Sequence, residues 1–249
     1  MNALTRLSAL ALMAGWSIGA AYAAQRFSVD LELGAAWQDR NTVQSPNDAS
    51  GTRFDLGRLT GDGPFLAPRL QLTLPRQSGH EIRLVAAPLR LDNTTTLNTA
   101  TKFQGVGFQP GSTRAVYRFD SYRATWRYAL HGSATWSLKA GLTGKIRDAE
   151  ISLYQNGVSA TRSDVGFVPL LHLYSDSRLG ERSRLIFEAD GLAGGPGRAF
   201  DLTARYAYDL KPGLTAFAGV RMLDGGVDQT SIYNFARFRY ATIGVQVSR

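Results

Sequence analysis

Residues 121–130 read Ser-Tyr-Arg-Ala-Thr-Trp-Arg-Tyr-Ala-Leu, and their alternation decides the fold. Tyr122, Ala124, Trp126, Tyr128 and Leu130 share one parity; Ser121, Arg123, Thr125 and Arg127 share the other. Successive side chains of an extended strand point to opposite faces, so one face here is aromatic and aliphatic and the other cationic. A helix, at about 3.6 residues per turn, would scatter both sets around its circumference. The segment is predicted as a strand.

The next segment repeats the pattern. From Ala134 to Arg147, Ala134, Trp136, Leu138, Ala140, Leu142 and Ile146 oppose Thr135, Ser137, Lys139, Thr143, Lys145 and Arg147. Further along, Phe200, Leu202, Ala204, Tyr206 and Tyr208 oppose Asp201, Thr203 and Arg205, and Leu214 to Met222 alternates against Thr215 and Arg221. Towards the N-terminus, Phe27 to Trp37 and Leu66 to Leu74 alternate in the same way. Two stretches are irregular. Val165 to Tyr174 is apolar on both faces, and Ile232 to Val247 reads as changing parity between Arg239 and Ile243, which a β-bulge would explain.

A soluble sandwich also alternates, but its polar face meets water and carries Lys freely. Excluding the first 23 residues, this chain of 249 has four Lys against 23 Arg. Arg suits paired, bidentate contacts in confined space. The apolar faces begin or end in Trp, Tyr or Phe, as aromatic girdles at two membrane interfaces would. The reading is therefore all-β: a transmembrane antiparallel up-and-down β-barrel with lipid outside and a charged lumen inside.

Connection lengths set strand number and orientation. Short turns are predicted at Pro75 to His80, His131 to Ser133, Asp176 to Arg182 and Asp209 to Gly213. Longer Gly-rich or polar connections alternate with them: Gln38 to Gly63, Asp92 to Ser112, Gln155 to Arg162, Gly191 to Gly197 and Asp224 to Ser231. That pattern predicts ten strands with both termini on the short-turn, periplasmic side; eight and twelve are the alternative counts.

The first residues are a targeting segment rather than structure. Arg6 supplies the positive charge, Leu7 to Ile18 is apolar, and Ala21-Tyr22-Ala23 is an A-x-A cleavage site. The apolar run is shorter than the roughly 20 residues a spanning helix needs. Residues 1–23 are thus predicted as a signal peptide and 24–249 as the barrel domain. The absence of Cys excludes disulfides and thiol chemistry.

A signal peptide followed by strands with one apolar face resembles the small outer-membrane β-barrel proteins of Gram-negative bacteria. The resemblance covers essentially all of residues 24–249 and carries no functional motif. It implies the outer membrane as location, and outer-membrane lipid, lipopolysaccharide and the barrel-assembly machinery as partners. Such proteins usually end in an aromatic residue, whereas this chain ends in Arg249.

Facing predictions follow from parity. Tyr122, Trp126, Trp136, Leu138, Tyr206 and Tyr208 should face lipid, with Leu138 near mid-membrane. Arg123, Arg127, Lys139, Arg147, Arg205 and Arg221 should face the lumen, paired with Glu188, Asp190, Asp201, Asp148 and Glu150. Arg53, Arg58, Arg114, Arg118 and Arg162, in or near the outer loops, are candidates for lipopolysaccharide phosphates. The net charge of +8 points to these roles rather than to nucleic acid.

No catalytic constellation is legible. His80 and His131 fall in short turns and His172 in the periplasmic half of its strand, away from the outer rim where a base would be needed. Carboxylates at Asp148, Glu150, Asp164, Asp190 and Asp201 read as salt-bridge partners of lumenal Arg, and no metal or cofactor motif is present. Wide aqueous pores need about 16 strands. The leading function is therefore a barrel of structural, adhesion or envelope-integrity type with a filled lumen, ahead of a narrow anion-preferring channel and an outer-rim hydrolase or lipid-modifying enzyme. The sequence leaves the oligomeric state open.

Overall fold

The computed structural model describes residues 27–249. The predicted signal peptide lies outside the described residues. In chain order the elements are β1 (Ser28–Gln44), β2 (Phe54–Asp55), α1 (Leu56–Thr60), β3 (Phe65–Pro75), β4 (His80–Ala87), β5 (Arg90–Leu97), β6 (Thr101–Phe103) and β7 (Val106–Phe108). They continue as β8 (Gly111–Gly132), β9 (Trp136–Gln155), β10 (Val158–Arg178), β11 (Ser183–Gly194), β12 (Gly197–Lys211), β13 (Leu214–Gln229) and β14 (Ile232–Ser248).

Ten strand positions close into an antiparallel barrel, in the order β1, β3, β4, β8, β9, β10, β11, β12, β13, β14 and back to β1. β14 seals it by pairing with β1 from Ser28–Ser248 to Gln44–Tyr233. β5 continues the line of β4: β4 pairs with Tyr128 to Ser121 of β8, and β5 with Arg118 to Gly111. Closure removes the unpaired edges that an open sheet of alternating strands would expose. Both ends of the described chain lie at the short-turn rim.

The opposite rim departs from the predicted loops. Three connections read as loops are tight turns between longer strands: β9 and β10 pair up to Gln155–Val158, β11 and β12 up to Gly194–Gly197, and β13 and β14 up to Gln229–Ile232. Asn156 and Gly157 take positive φ of 49° and 79°, the backbone a two-residue hairpin requires and the reason an Asn-Gly pair stands there. The two remaining connections are long, residues 45–64 and 98–110, and both are structured. The first carries β2 and α1; the second carries the β6–β7 hairpin.

The wall is uneven in height. β8, β9 and β10 run for 22, 20 and 21 residues, against 12 for β11. A tilted spanning strand needs only about 9–11 residues. β10 pairs with β11 only from Arg178–Arg184 up to Leu171–Gly191. Beyond that point Val158 to Leu170 pairs with β9 alone.

The two irregular stretches resolve. In β10 Val165, Phe167, Leu171 and Leu173 are exposed on the outer face, and Leu170 and His172 are buried inside. β14 has no bulge: its ladder with β13 is unbroken from end to end. Arg239 and Ile243 share a parity and both face outward, and the register shift lies in β1, between Gln38 and Arg40. The apparent change of parity arose from assigning Arg239 to the lumen.

Candidate functional site

The interior has two layers. Near the short-turn half, inward side chains from nine of the ten strand positions form a buried ion-pair network, Arg69 of β3 with Glu32 of β1 included. Arg123 of β8 donates to Asp190 of β11 at 2.9 Å and is also bonded to Asp201 of β12. Arg221 of β13 grips Asp201 with Nε at 2.7 Å and Nη2 at 2.6 Å. This planar, two-pronged contact suits a guanidinium. Arg205 lies 2.6 Å from Glu32 and 3.3 Å from Asp30. Arg127 and Lys139 share Glu81 at 2.7 and 2.5 Å.

Asp190 also accepts from the Thr143 hydroxyl at 2.7 Å and meets His172 Nδ1 at 2.8 Å. Arg83, fully buried, pairs with Glu188 at 2.5 Å. Alternation brings these groups inward, and barrel closure brings them together. Leaving such charges unpaired in a low-dielectric interior would be costly.

The residues expected in the lumen divide. Arg123, Arg127, Lys139, Glu188, Asp190, Asp201, Arg205 and Arg221 lie together inside. Arg147 also points inward, but higher up, where it is bonded to Asp164. Asp148 and Glu150 do not join the network. They lie on the outer face, where Arg118 reaches them at 2.7 and 3.4 Å. Parity gives the reason: Asp148 follows Arg147 directly, so the two cannot share a face of one strand. The network instead uses Asp30, Glu32 and Glu81: Arg205, three strands away, meets Asp30 and Glu32, while Glu32 and Glu81 also face Arg69 and Arg127 on the neighbouring strands.

On the outer face Tyr122, Trp126, Trp136, Tyr206 and Tyr208 are exposed beside Leu31, Leu70, Leu142 and Ile243. Leu138 faces the same way but is not near the middle of the wall: it lies two residues into β9 and pairs with His131 beside the short turn. His80 and His131 are at this rim too, packed against Tyr128 and Trp136 with ring centroids 4.8 and 4.7 Å apart.

The second layer, at the long-loop rim, is apolar. Leu56 and Leu59 of α1, Phe54 beside it, and Phe103 and Phe108 of the β6–β7 hairpin are buried against Ala36, Tyr117, Leu153 and Phe238 of the wall. Both long connections thus fold into the mouth. Asp55 caps α1 by accepting from the Gly57 amide at 2.9 Å. Gln38 of β1 donates to the Thr60 hydroxyl and the Gly61 carbonyl at 3.0 and 2.8 Å. The two connections are tied to each other by Thr52 N–H to Lys102 O at 2.9 Å and Gln104 N–H to Ser45 O at 2.8 Å. Sequence reading missed this layer because its apolar residues are few and scattered through polar loops.

The five candidate phosphate-binding arginines differ in their freedom. Arg114 is held by Asp92 through two bonds of 2.8 and 2.6 Å, and Arg118 by Asp120, Asp148 and Glu150. The Arg114 hydrogen bonds lower the pKa of Asp92 below its ordinary value. Arg58 stays exposed, 3.5 Å from Asp55. Arg53 stacks on Tyr233, and Arg162 donates to Ser231 Oγ at 3.2 Å. A cluster not foreseen lies on the outer face, where Arg40, Arg198 and Arg237 converge on one buried carboxylate, Asp224, at 3.3, 2.8 and 2.7 Å.

No protein-family model and no curated protein matches this chain. Among solved structures it is similar to the translocator domain of autotransporter NalP from Neisseria meningitidis (TM-score 0.44, 9% identity, covering 89% of this chain and 87% of that one). It is also similar to Ail, the attachment invasion locus protein of Yersinia pestis (TM-score 0.39, 7% identity, 90% and 99%), and to the NanC porin (TM-score 0.41, 10% identity, 88% and 98%). These structural neighbours are small Gram-negative outer-membrane β-barrels.

Proposed function

We propose that this chain is an outer-membrane barrel of structural, adhesion or envelope-integrity type whose lumen does not conduct. The observation that carries this reading is the double filling of the interior. Arg83, Arg123, Arg127, Arg205 and Arg221 are each no more than 7% exposed and paired with carboxylates, Arg127 and Arg221 on a neighbouring strand and Arg83, Arg123 and Arg205 on strands three or four places away. Above them the mouth is packed with Leu56, Leu59, Phe103 and Phe108. An ion would have to displace both paired charges and a packed apolar layer.

An apolar outer face with aromatic residues, in a closed barrel, supports insertion in a bilayer, since closure pairs the backbone of the wall without water, except along β10 above Leu171. The reading places the chain in the outer membrane of a Gram-negative bacterium after export, with lipid and lipopolysaccharide around it and the assembly machinery as its route in. The tall β8–β9–β10 side would then project beyond the lipid as a rigid wall suited to surface contact.

The test is planar-bilayer conductance of the refolded protein. Silence is expected. Steady openings would overturn the reading and select the narrow channel, with anion preference expected from the surplus of lumenal cations.

A further inference from the structure

Where β10 parts from β11, the wall opens sideways. From Leu170 upward β10 has no partner on that side, and a cavity of about 590 Å³ runs through the gap, from the inner wall out to Glu150, Arg198 and Asp224. Its lining includes Tyr117, Phe119, Ile151 and Phe238 from inside, Val168 on the lip, and Lys145. The volume falls within the range of roughly 300–1,000 Å³ typical of small-molecule pockets. Outside the gap Val165 and Phe167 are 69% and 71% exposed, so its lip is apolar. Pro169 stands in this open edge and has no N–H to offer, which disfavours pairing with another strand.

Lys145 is the unexplained group. It is 3% exposed, yet among the described residues it has no hydrogen bond and no carboxylate in contact, the charge that reaches it being that of Asp201, already held by two arginines. Its ammonium sits 4.8 Å from the centre of the Phe119 ring. Every arginine of the network has a carboxylate in contact, including Arg123, which stands directly opposite Lys145 in the β8–β9 ladder. Arg147, the next inward residue on β9, is already bonded to Asp164. A buried ammonium with no carboxylate in contact is unfavourable unless it gives up its proton or an anion arrives.

We propose that the β10–β11 gap is a side entrance from the outer leaflet, and that the cavity behind it binds a single-chain amphiphile with its anionic headgroup on Lys145. The hydrocarbon would lie against Tyr117, Phe119 and Phe238 and leave past Val165 and Phe167. Such a site needs no conducting lumen, because the ion pairs beside and below Lys145 stay in place.

The experiment uses the refolded mature protein in nonionic micelles, with folding checked by gel shift on heating. Phe119→Trp places an indole in the cavity, and dibromostearate is the quenching probe. Trp37, Trp126 and Trp136 face outward and contribute quenching that grows without saturation in every variant. The cavity indole should add a saturable component, displaced by oleate and not by oleyl alcohol. In the same background Lys145→Met should weaken binding by roughly tenfold or more, the worth of one charge-assisted hydrogen bond, and Lys145→Arg should retain it. Val168→Phe, which narrows the gap and leaves Lys145 in place, should also remove the saturable component. Absence of that component, equal competition by oleyl alcohol, or unchanged affinity in Lys145→Met would overturn the proposal. Should Lys145→Met fail to fold, full binding in Val168→Phe would overturn it instead.

Discussion

Asp190 and Asp201 face each other directly across the β11–β12 ladder, and Arg123 from β8, three strands away, binds both. Two like charges at a cross-strand position repel. Here one guanidinium bridges them, and Arg221 and His172 complete the set. The carboxylate pair holds inward side chains from opposite sides of the barrel, so the network staples the lumen as well as filling it.

Removing Asp201 therefore strands Arg221, while Arg123 keeps Asp190. Asp201→Ala should destabilise the folded barrel by about 3–5 kcal/mol, the usual cost of leaving a buried ion-pair partner uncompensated. Urea unfolding of the protein in lipid vesicles checks this. A nearly unchanged midpoint, with increased anion preference in bilayers, would mean that the lumen is wet and conducting.

The outer wall offers a paired test of depth. Leu142 is exposed in the apolar band between Trp126 and Leu171, whereas Leu138 lies beside the short turn. Leu142→Arg should cost about 2–4 kcal/mol and Leu138→Arg about 0–1 kcal/mol. Equal costs measured by the same unfolding assay would place the bilayer elsewhere on the wall.

The apolar mouth should matter to stability and not to closure. Phe103 is fully buried, and Phe103→Ala should cost about 3–5 kcal/mol. Amide exchange should rise in residues 45–64, which hydrogen-bond to the hairpin. Conductance should stay silent, because the ion-pair layer is untouched. Openings in this variant would make the loops the principal barrier.

At the exposed rim, Asp92 has its pKa lowered by its hydrogen bonds with Arg114. A depressed carboxylate contributes stability that is present above its unfolded pKa and lost as pH falls through the folded one. Solvent screening keeps that contribution small. An NMR titration should place the Asp92 midpoint below the ordinary 3.8, and Arg114→Gln should move it back up. Identical midpoints in the two proteins would show that the pair does not persist in solution.

The strand alternation around Tyr122 to Leu130, and the same parity in β9, β12 and β13, determined the barrel and its two faces, because the period of an extended chain is local and written residue by residue. Parity alone also ruled out a shared face for Arg147 and Asp148, although the two were grouped. What pairs with what was decided only by closure. Arg123 meets Asp190 and Asp201 through 67 and 78 intervening steps of chain, and Arg205 meets Asp30 through 175. Nothing local marks such partners. The folding of Phe103 and Leu56 into the mouth, and the parting of β10 from β11 beside Lys145, likewise depend on which strands end early around the ring. That is a property of the closed wall, since a side chain acquires an opposite side only once the sheet has curled to face itself.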